Sequence, residues 1–176
     1  MPPLVPILFA VPAGAELCAG RLVAAWQDAV PAAAFFVLDE AEGGIASLMD
    51  DSVLFAPFLL AGICGGEARA LTLALDRQDR ACCGALICGD IDRLSSVSRI
   101  PKPARSIALR FVWETHDALA GATTLGQRLA RHRTEGHDAQ GIVLPHDRVG
   151  QPPASSTVRA GAAYLAELVA LALGFR

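Results

Sequence analysis

The chain has 176 residues, 53% of them apolar and 19% charged, with a formal net charge of −3 at neutral pH. That length suits one compact domain, residues 1–176, with a sizeable core, and the composition excludes an intrinsically disordered chain. The slight acidity gives no general reason to expect nucleic acid, and no uncharged stretch is long enough to cross a bilayer.

Leu4 to Ala10 is a short apolar run of the kind a fully buried strand shows. It lies in a charge-poor start, MPPLVPILFAVPAGA, which has four prolines and no basic residue and so reads as a first strand, not a secretory leader. A cytoplasmic address is the resulting expectation. Ala15 to Ala29 sets Cys18, Leu22, Trp26 and Val30 at helical spacing, and Pro31 stops the helix. Ala33 to Leu38, AAFFVL, predicts a second strand, and the polar DEAEGGIASLMDDS after it has room for one short helix. Phe58 to Ile63 predicts a third strand, followed at once by a helix over Glu67 to Asp76.

The alternation continues to the end. CCGALIC, Cys82 to Cys88, predicts a fourth strand running into the loop GDIDRLSSVSRIPKP. SIALRFVW, Ser106 to Trp113, predicts a fifth, and a helix is expected from Ala118 to about His132. Gly141 to Leu144 begins a short sixth strand. The last helix has Ser155 or Ser156 as its expected cap and a stripe of Val158, Ala162, Leu165, Val169 and Leu173. Six near-continuous apolar strands separated by helix-length connections predict an α/β fold, a three-layer sandwich around a central parallel sheet of about six strands. Right-handed crossovers place every strand's C-terminal end on one edge, where ligands bind.

Charge is uneven along the chain. One basic residue, Arg21, stands against seven acidic ones before Gly62, whereas Arg93 to Arg133 holds eight basic and two acidic residues. The asymmetry suits an anionic ligand, but fourteen of the fifteen basic residues are Arg, which also fits coding bias. The five cysteines, Cys18, Cys64, Cys82, Cys83 and Cys88, are odd in number and include an adjacent pair. They do not form a disulfide framework or a zinc motif, so reduced thiols and no metal or other cofactor are expected.

One of these thiols sits in an unusual place. In FLLAGICGGEARALTLAL, Cys64 stands between Gly62 and Gly66 at a tight strand-to-helix turn, with Gly65 beside it. With 16 glycines and 5 cysteines in the chain, a chance Gly-x-Cys-x-Gly arises roughly 0.04 times. Small residues two before and two after let strand and helix backbones approach, and the following helix turns its N–H groups and positive dipole end toward the thiol. That setting favours thiolate and makes Gly65 N–H an oxyanion donor. The blander reading is a glycine-rich turn holding a small apolar side chain.

With these features the chain resembles the α/β-hydrolase superfamily, in particular small predicted esterases of the phospholipase/carboxylesterase and dienelactone hydrolase kind; dienelactone hydrolases use Cys at this elbow. The resemblance covers almost the whole chain, as an order of elements more than as shared residues. ACCGALICGD resembles the strand after the elbow helix, and the segment from ARSIALRF to GIVLPHD resembles the family's last third. The resemblance implies Asp117 in WETHDALAG as the catalytic acid, although Asp117 also suits a helix cap. It implies His146 in LPHDRVG as the base, two residues displaced from the usual position, where Arg148 stands nearer. His137 precedes the sixth strand and belongs at the opposite edge, His132 reads as a solvated helix-end residue, and His116 neighbours Asp117. The family's usual His-Gly-x-Gly is absent after the first strand; AVPAGAEL leaves Ala13 or Gly14 as second oxyanion donor, since Pro12 has no N–H. The Asp39–Phe55 and Gly89–Ala104 connections are brief, implying a minimal core with a short or missing lid.

Two functions follow from this resemblance. One is hydrolysis of a carboxylic ester, thioester or lactone of small size, with no nucleic-acid or membrane partner and with room for a homodimer. The other is a catalytically degenerate hydrolase scaffold kept for binding or interaction. An amidotransferase-like fold, with Glu16 as its early acidic residue, is a third and weaker reading. A Rossmann cofactor site is weaker still, because no Gly-x-Gly-x-x-Gly follows the first strand.

Overall fold

The computed structural model describes residues 4–12, 14–38, 57–76, 82–90, 106–145 and 155–174. The elements run β1 (Val5–Ala10), α1 (Glu16–Gln27), β2 (Ala33–Leu38), β3 (Phe58–Ile63), α2 (Glu67–Asp76), β4 (Cys82–Asp90), β5 (Ala108–Thr115), α3 (Ala118–Thr134), β6 (Asp138–Pro145) and α4 (Ser155–Gly174). Six strands form one sheet in the order β2-β1-β3-β4-β5-β6, and every neighbouring pair is parallel. The expected α/β sandwich is therefore present. The suggested helix within 39–56 lies outside the described residues.

Parallel strands need long crossovers, and these bring helices onto both faces of the sheet. Ala70, Leu71, Ala74 and Leu75 of α2 and Leu125 and Leu129 of α3 pack on one face, against Leu8, Leu60, Ile87, Leu109 and Phe111. Ala19, Leu22 and Trp26 of α1 and Leu165, Leu168, Val169 and Ala172 of α4 pack on the other, against Ile7, Phe9, Leu59, Leu86 and Val112. β1 and β3 are buried at every position because both their faces are covered, which is why they read as unbroken apolar runs. β2, at the sheet's edge, is only half-buried along most of its length.

Two helices differ from expectation. The buried face of α4 is Thr157, Gly161, Leu165, Leu168, Val169 and Ala172, whereas Leu173 is partly exposed. The predicted stripe is thus rotated, because a helix apolar on nearly every side leaves the spacing of large residues a poor guide to its inner face. By length and composition alone α4 is apolar enough to cross a membrane, and its buried face packs on β4 and β5. Sheet and α4 are also tied by Arg110 of β5, buried itself, which donates to Glu167 Oε1 at 2.6 Å and to Asp138 Oδ2 at 2.7 Å. The two carboxylates remain half in water, which limits the desolvation cost of the cluster.

The second difference is His132. Far from being solvated, it is 1% exposed near the C-terminal end of α3, its ring stacked on Phe111 at 5.6 Å and edge-on to His137 at 6.1 Å. His137 precedes β6 at the N-terminal edge, as expected, and its Nδ1 accepts from Ile107 N at 3.4 Å. Burial pushes the His132 imidazole down to about 4; Glu135 opposes the shift, while His137, Arg128 and Arg131 add to it. His132 is therefore neutral in the folded protein, and an unfolded chain takes up a proton near pH 6.5 that the native state refuses. Stability should fall as pH drops from about 6.5 toward 4, by on the order of 2–3 kcal/mol from this group, and level off below. In urea titrations across that range His132→Phe should shallow the slope; equal slopes for the two proteins would contradict the assignment.

Candidate active site at the Cys64 elbow

The chain makes its topological switch between β1 and β3. From β1 it moves outward to β2 through α1, and from β3 it moves the other way to β4 through α2. α1 and α2 therefore leave neighbouring strand ends toward opposite faces and open a crevice between them, the usual ligand position in such sheets. Cys64 stands there, one residue past β3.

The turn is shaped by two close approaches. A Cβ on Gly62 would lie 2.6 Å from Glu67 Cα and 2.8 Å from Ala70 Cβ, and a Cβ on Gly66 would lie 1.8 Å from the Ala10 carbonyl oxygen. Neither position admits a side chain, because the elbow is pressed between its own helix and the end of β1. Gly66 N donates to Ile63 O at 2.9 Å and closes the turn, and Ala70 N donates to Gly66 O at 2.9 Å and starts α2. Cys64 has φ +53°, the only non-glycine residue with positive φ among the described residues. That left-handed backbone costs about 1–2 kcal/mol for a residue with a Cβ. An L-residue held there where no glycine has been placed suggests that its side chain has a use.

The Cys64 sulfur is not a free thiol. It forms a disulfide with Cys18, whose Cα is 6.5 Å away, an ordinary span for such a bridge. Cys18 lies in the first turn of α1, so the bond crosses the switch crevice. The expectation of reduced cysteines throughout is corrected at this pair. The partners are 46 residues apart, and only the sheet order brings them together. Both are half-buried, whereas Cys82, Cys83 and Cys88 are buried and outside any disulfide. Burial, with Glu114 and then Glu67 nearby, pushes the Cys88 thiol far up, so it stays protonated.

The expected oxyanion donor is engaged as well. Gly65 N donates to Glu67 Oε1 at 3.1 Å. Glu67 is the first residue of α2 and only 2% exposed, so its carboxylate lies buried at the helix's positive end. Gly89 of β4 makes room for it, since a Cβ there would sit 1.9 Å from Glu67 Oε1. Gly14, with φ +88°, is exposed in the turn that Ala15 N closes onto Pro12 O at 3.1 Å.

Asp117 lies on the same edge, two residues past β5. It is exposed and caps α3: its Oδ1 accepts from Leu119 N and Ala120 N, both at 3.0 Å. Oδ2 makes no hydrogen bond among the described residues. The sheet thus brings Cys64, Gly65, Gly14 and Asp117 to one edge, where β6 also ends at Pro145. Ala13 and His146 lie outside the described residues, as does the side chain of Glu16. Sequence reasoning missed two carboxylates here. Glu67 stands in the sequence only as the first residue of the expected helix. Glu114, at the end of β5, accepts from the buried Thr157 hydroxyl of α4, and strand alternation with Arg110 and Val112 is the signal that puts it on the α1/α4 face.

No family model matches the chain, and no curated protein matches it in sequence. Solved structures do share its fold. Esterase PE8 superimposes with a TM-score of 0.58 at 18% identity, over 95% of this chain and 93% of that one. A dienelactone hydrolase from Anabaena variabilis superimposes with a TM-score of 0.60 at 13% identity, over 94% and 85%. The chain thus shares its α/β fold with an esterase and a dienelactone hydrolase, and the resemblance read from the order of elements holds at the level of the fold.

The Asp117 cap can be tested apart from any chemistry. Asp117→Ala should lower stability by about 1 kcal/mol in urea unfolding, whereas Asp117→Asn, which can still accept at the helix start, should stay within about 0.5 kcal/mol of the parent. Equal losses for both variants would mean that charge, not the cap bonds, holds this helix end.

Proposed function

We propose that the protein hydrolyses small carboxylic esters, thioesters or lactones, with Cys64 of the reduced protein as nucleophile. The observation that carries this reading is the left-handed backbone of Cys64 at a strand-to-helix turn on the C-terminal edge. The shared fold with an esterase and a dienelactone hydrolase supports the ester class. The Cys64 thiolate adds to the carbonyl carbon, and the carbonyl π electrons move to oxygen. Collapse of the adduct breaks the bond to the leaving oxygen or sulfur, which takes a proton from the His146 imidazolium and leaves an acyl thioester. Water then attacks that thioester as His146 accepts its proton, releasing acid and thiolate.

Asp117 supplies the third role. Its cap bonds occupy Oδ1 alone, so Oδ2 can accept from an imidazole N–H and stabilise its charged form. Gly65 N–H, with Ala13 or Gly14, serves the oxyanion, which requires the Glu67 carboxylate to give up its hydrogen bond to Gly65. That same bond favours a second reading, a hydrolase scaffold retired from catalysis and kept for binding.

The two readings separate in one assay. Reduced protein should turn over short p-nitrophenyl esters, and Cys64→Ala should lower kcat/KM by on the order of 10³-fold with its circular dichroism unchanged. Asp117→Asn, which keeps the cap, should lower kcat more than it raises KM. Equal rates for parent and Cys64→Ala would remove the enzyme reading in favour of the retired scaffold.

A further inference from the structure

We infer that Cys18 and Cys64 form a dithiol–disulfide site that exchanges electron pairs with small thiols and disulfides, and that its oxidised form withholds Cys64 from acyl chemistry. The second clause rests on the function proposed above; the first does not.

The pair lies where exchange is feasible. Among the chain's five cysteines, Cys18 and Cys64 are the two with partial solvent exposure, and the other three are buried in the sheet. The bond bridges the crevice between α1 and α2, so a small thiol reaches it from the same side as any ligand of the switch point. Both sulfurs stand at helix starts, Cys18 in the first turn of α1 and Cys64 just before α2. No side chain caps α1 at Ala15, which leaves its leading N–H groups to favour negative charge on a nearby sulfur. A sulfur stabilised as thiolate is the better leaving group when a disulfide is attacked.

The fold also has little need of the bond. α1 is held at its other end by Trp26, wholly buried, stacked 5.9 Å from Phe9 and donating from its indole N–H to Val158 O at 2.8 Å. Ala19 and Leu22 add buried contacts between the two ends. Opening the bridge frees one end of an anchored helix, so reduction can be reversible without unfolding.

The exchange balances as follows. A small thiolate attacks one sulfur of the pair, the S–S bond breaks, and the electron pair leaves on the other cysteine, which takes a proton. A second small thiol attacks the mixed disulfide and releases the first cysteine as a thiol. Two small thiols become one small disulfide, and the protein pair gains two electrons and two protons. A small disulfide drives the sequence backwards. In the oxidised state Cys64 sulfur has no lone-pair thiolate to offer a carbonyl, and the hydrolase is off.

The test uses the full chain, equilibrated in buffers of reduced and oxidised glutathione at varied ratio, quenched with acid and labelled with a maleimide under denaturing conditions. Intact mass should show the labelled thiols moving between three and five in one two-thiol step, with circular dichroism unchanged. Peptide mapping should link the Cys18 and Cys64 peptides. Cys18→Ser and Cys64→Ser should each lose the step and carry glutathione on the remaining cysteine in oxidising buffer. In the ester assay the oxidised parent should be silent and the reduced parent active, and Cys18→Ser should lose activity only in step with the glutathione its Cys64 carries. A count fixed at five, or one that leaves three only when the protein unfolds, would overturn the exchange site. Equal ester rates for fully oxidised and fully reduced parent would overturn the withholding. A normal thiol step with no ester turnover in any redox state would instead fail the hydrolase reading and leave the exchange site standing.

Discussion

The site depends on a lack of space where β3 turns into α2. The Ala10 carbonyl of β1 occupies the volume a Gly66 side chain would need, and Glu67 and Ala70 occupy that of Gly62. With both flanks reduced to glycine, the backbone between them folds back sharply, and Cys64 takes the left-handed conformation at the apex. Its side chain is held half-exposed at the switch between β1 and β3, and cannot retreat into the core. The strain is small beside the packing that enforces it. β1 and β3 are buried at every position, and each contributes to both apolar layers of the sandwich.

Electrostatics around this apex serve two opposing needs. The start of α2 attracts negative charge, and in this structure the claim is met by Glu67, whose carboxylate takes the Gly65 N–H. A thiolate at Cys64 or an oxyanion on a bound carbonyl competes for the same donor and the same dipole. The Cys18 bond answers that competition by removing charge from the sulfur altogether. With the bridge closed, Glu67 keeps its hydrogen bond to Gly65 N. With it open, a Cys64 thiolate and the Glu67 carboxylate contend for one helix end. The buried thiol of Cys88, between Glu67 and Glu114, stays protonated and outside this contest.

Much of this was legible from residues alone, and the physics explains where legibility stopped. Strands covered on both faces must be apolar throughout, so β1, β3, β4 and β5 announce themselves, and the helix over Glu67–Asp76 matches its expected bounds. Gly-x-Cys-x-Gly betrays the elbow because only glycine tolerates those approaches. The Cys18–Cys64 bond was hidden, since proximity across 46 residues is a property of the strand order and not of spacing. His132 was misjudged because a polar ring at a helix end reads as solvated, although Phe111 offered it a flat apolar partner. Glu67 and Glu114 look like surface acids in the sequence; it is Gly89 and Thr157 that make their burial and partnering feasible.

The most direct measurement is to trap the acyl group. After full reduction, the protein is mixed briefly with an activated acyl ester, quenched in acid, digested and read by mass spectrometry. The account predicts one acyl mass increment on the peptide containing Cys64, removed by hydroxylamine and absent when the bridge to Cys18 is closed. Acylation confined to other residues, or none on reduced and folded protein, would contradict it.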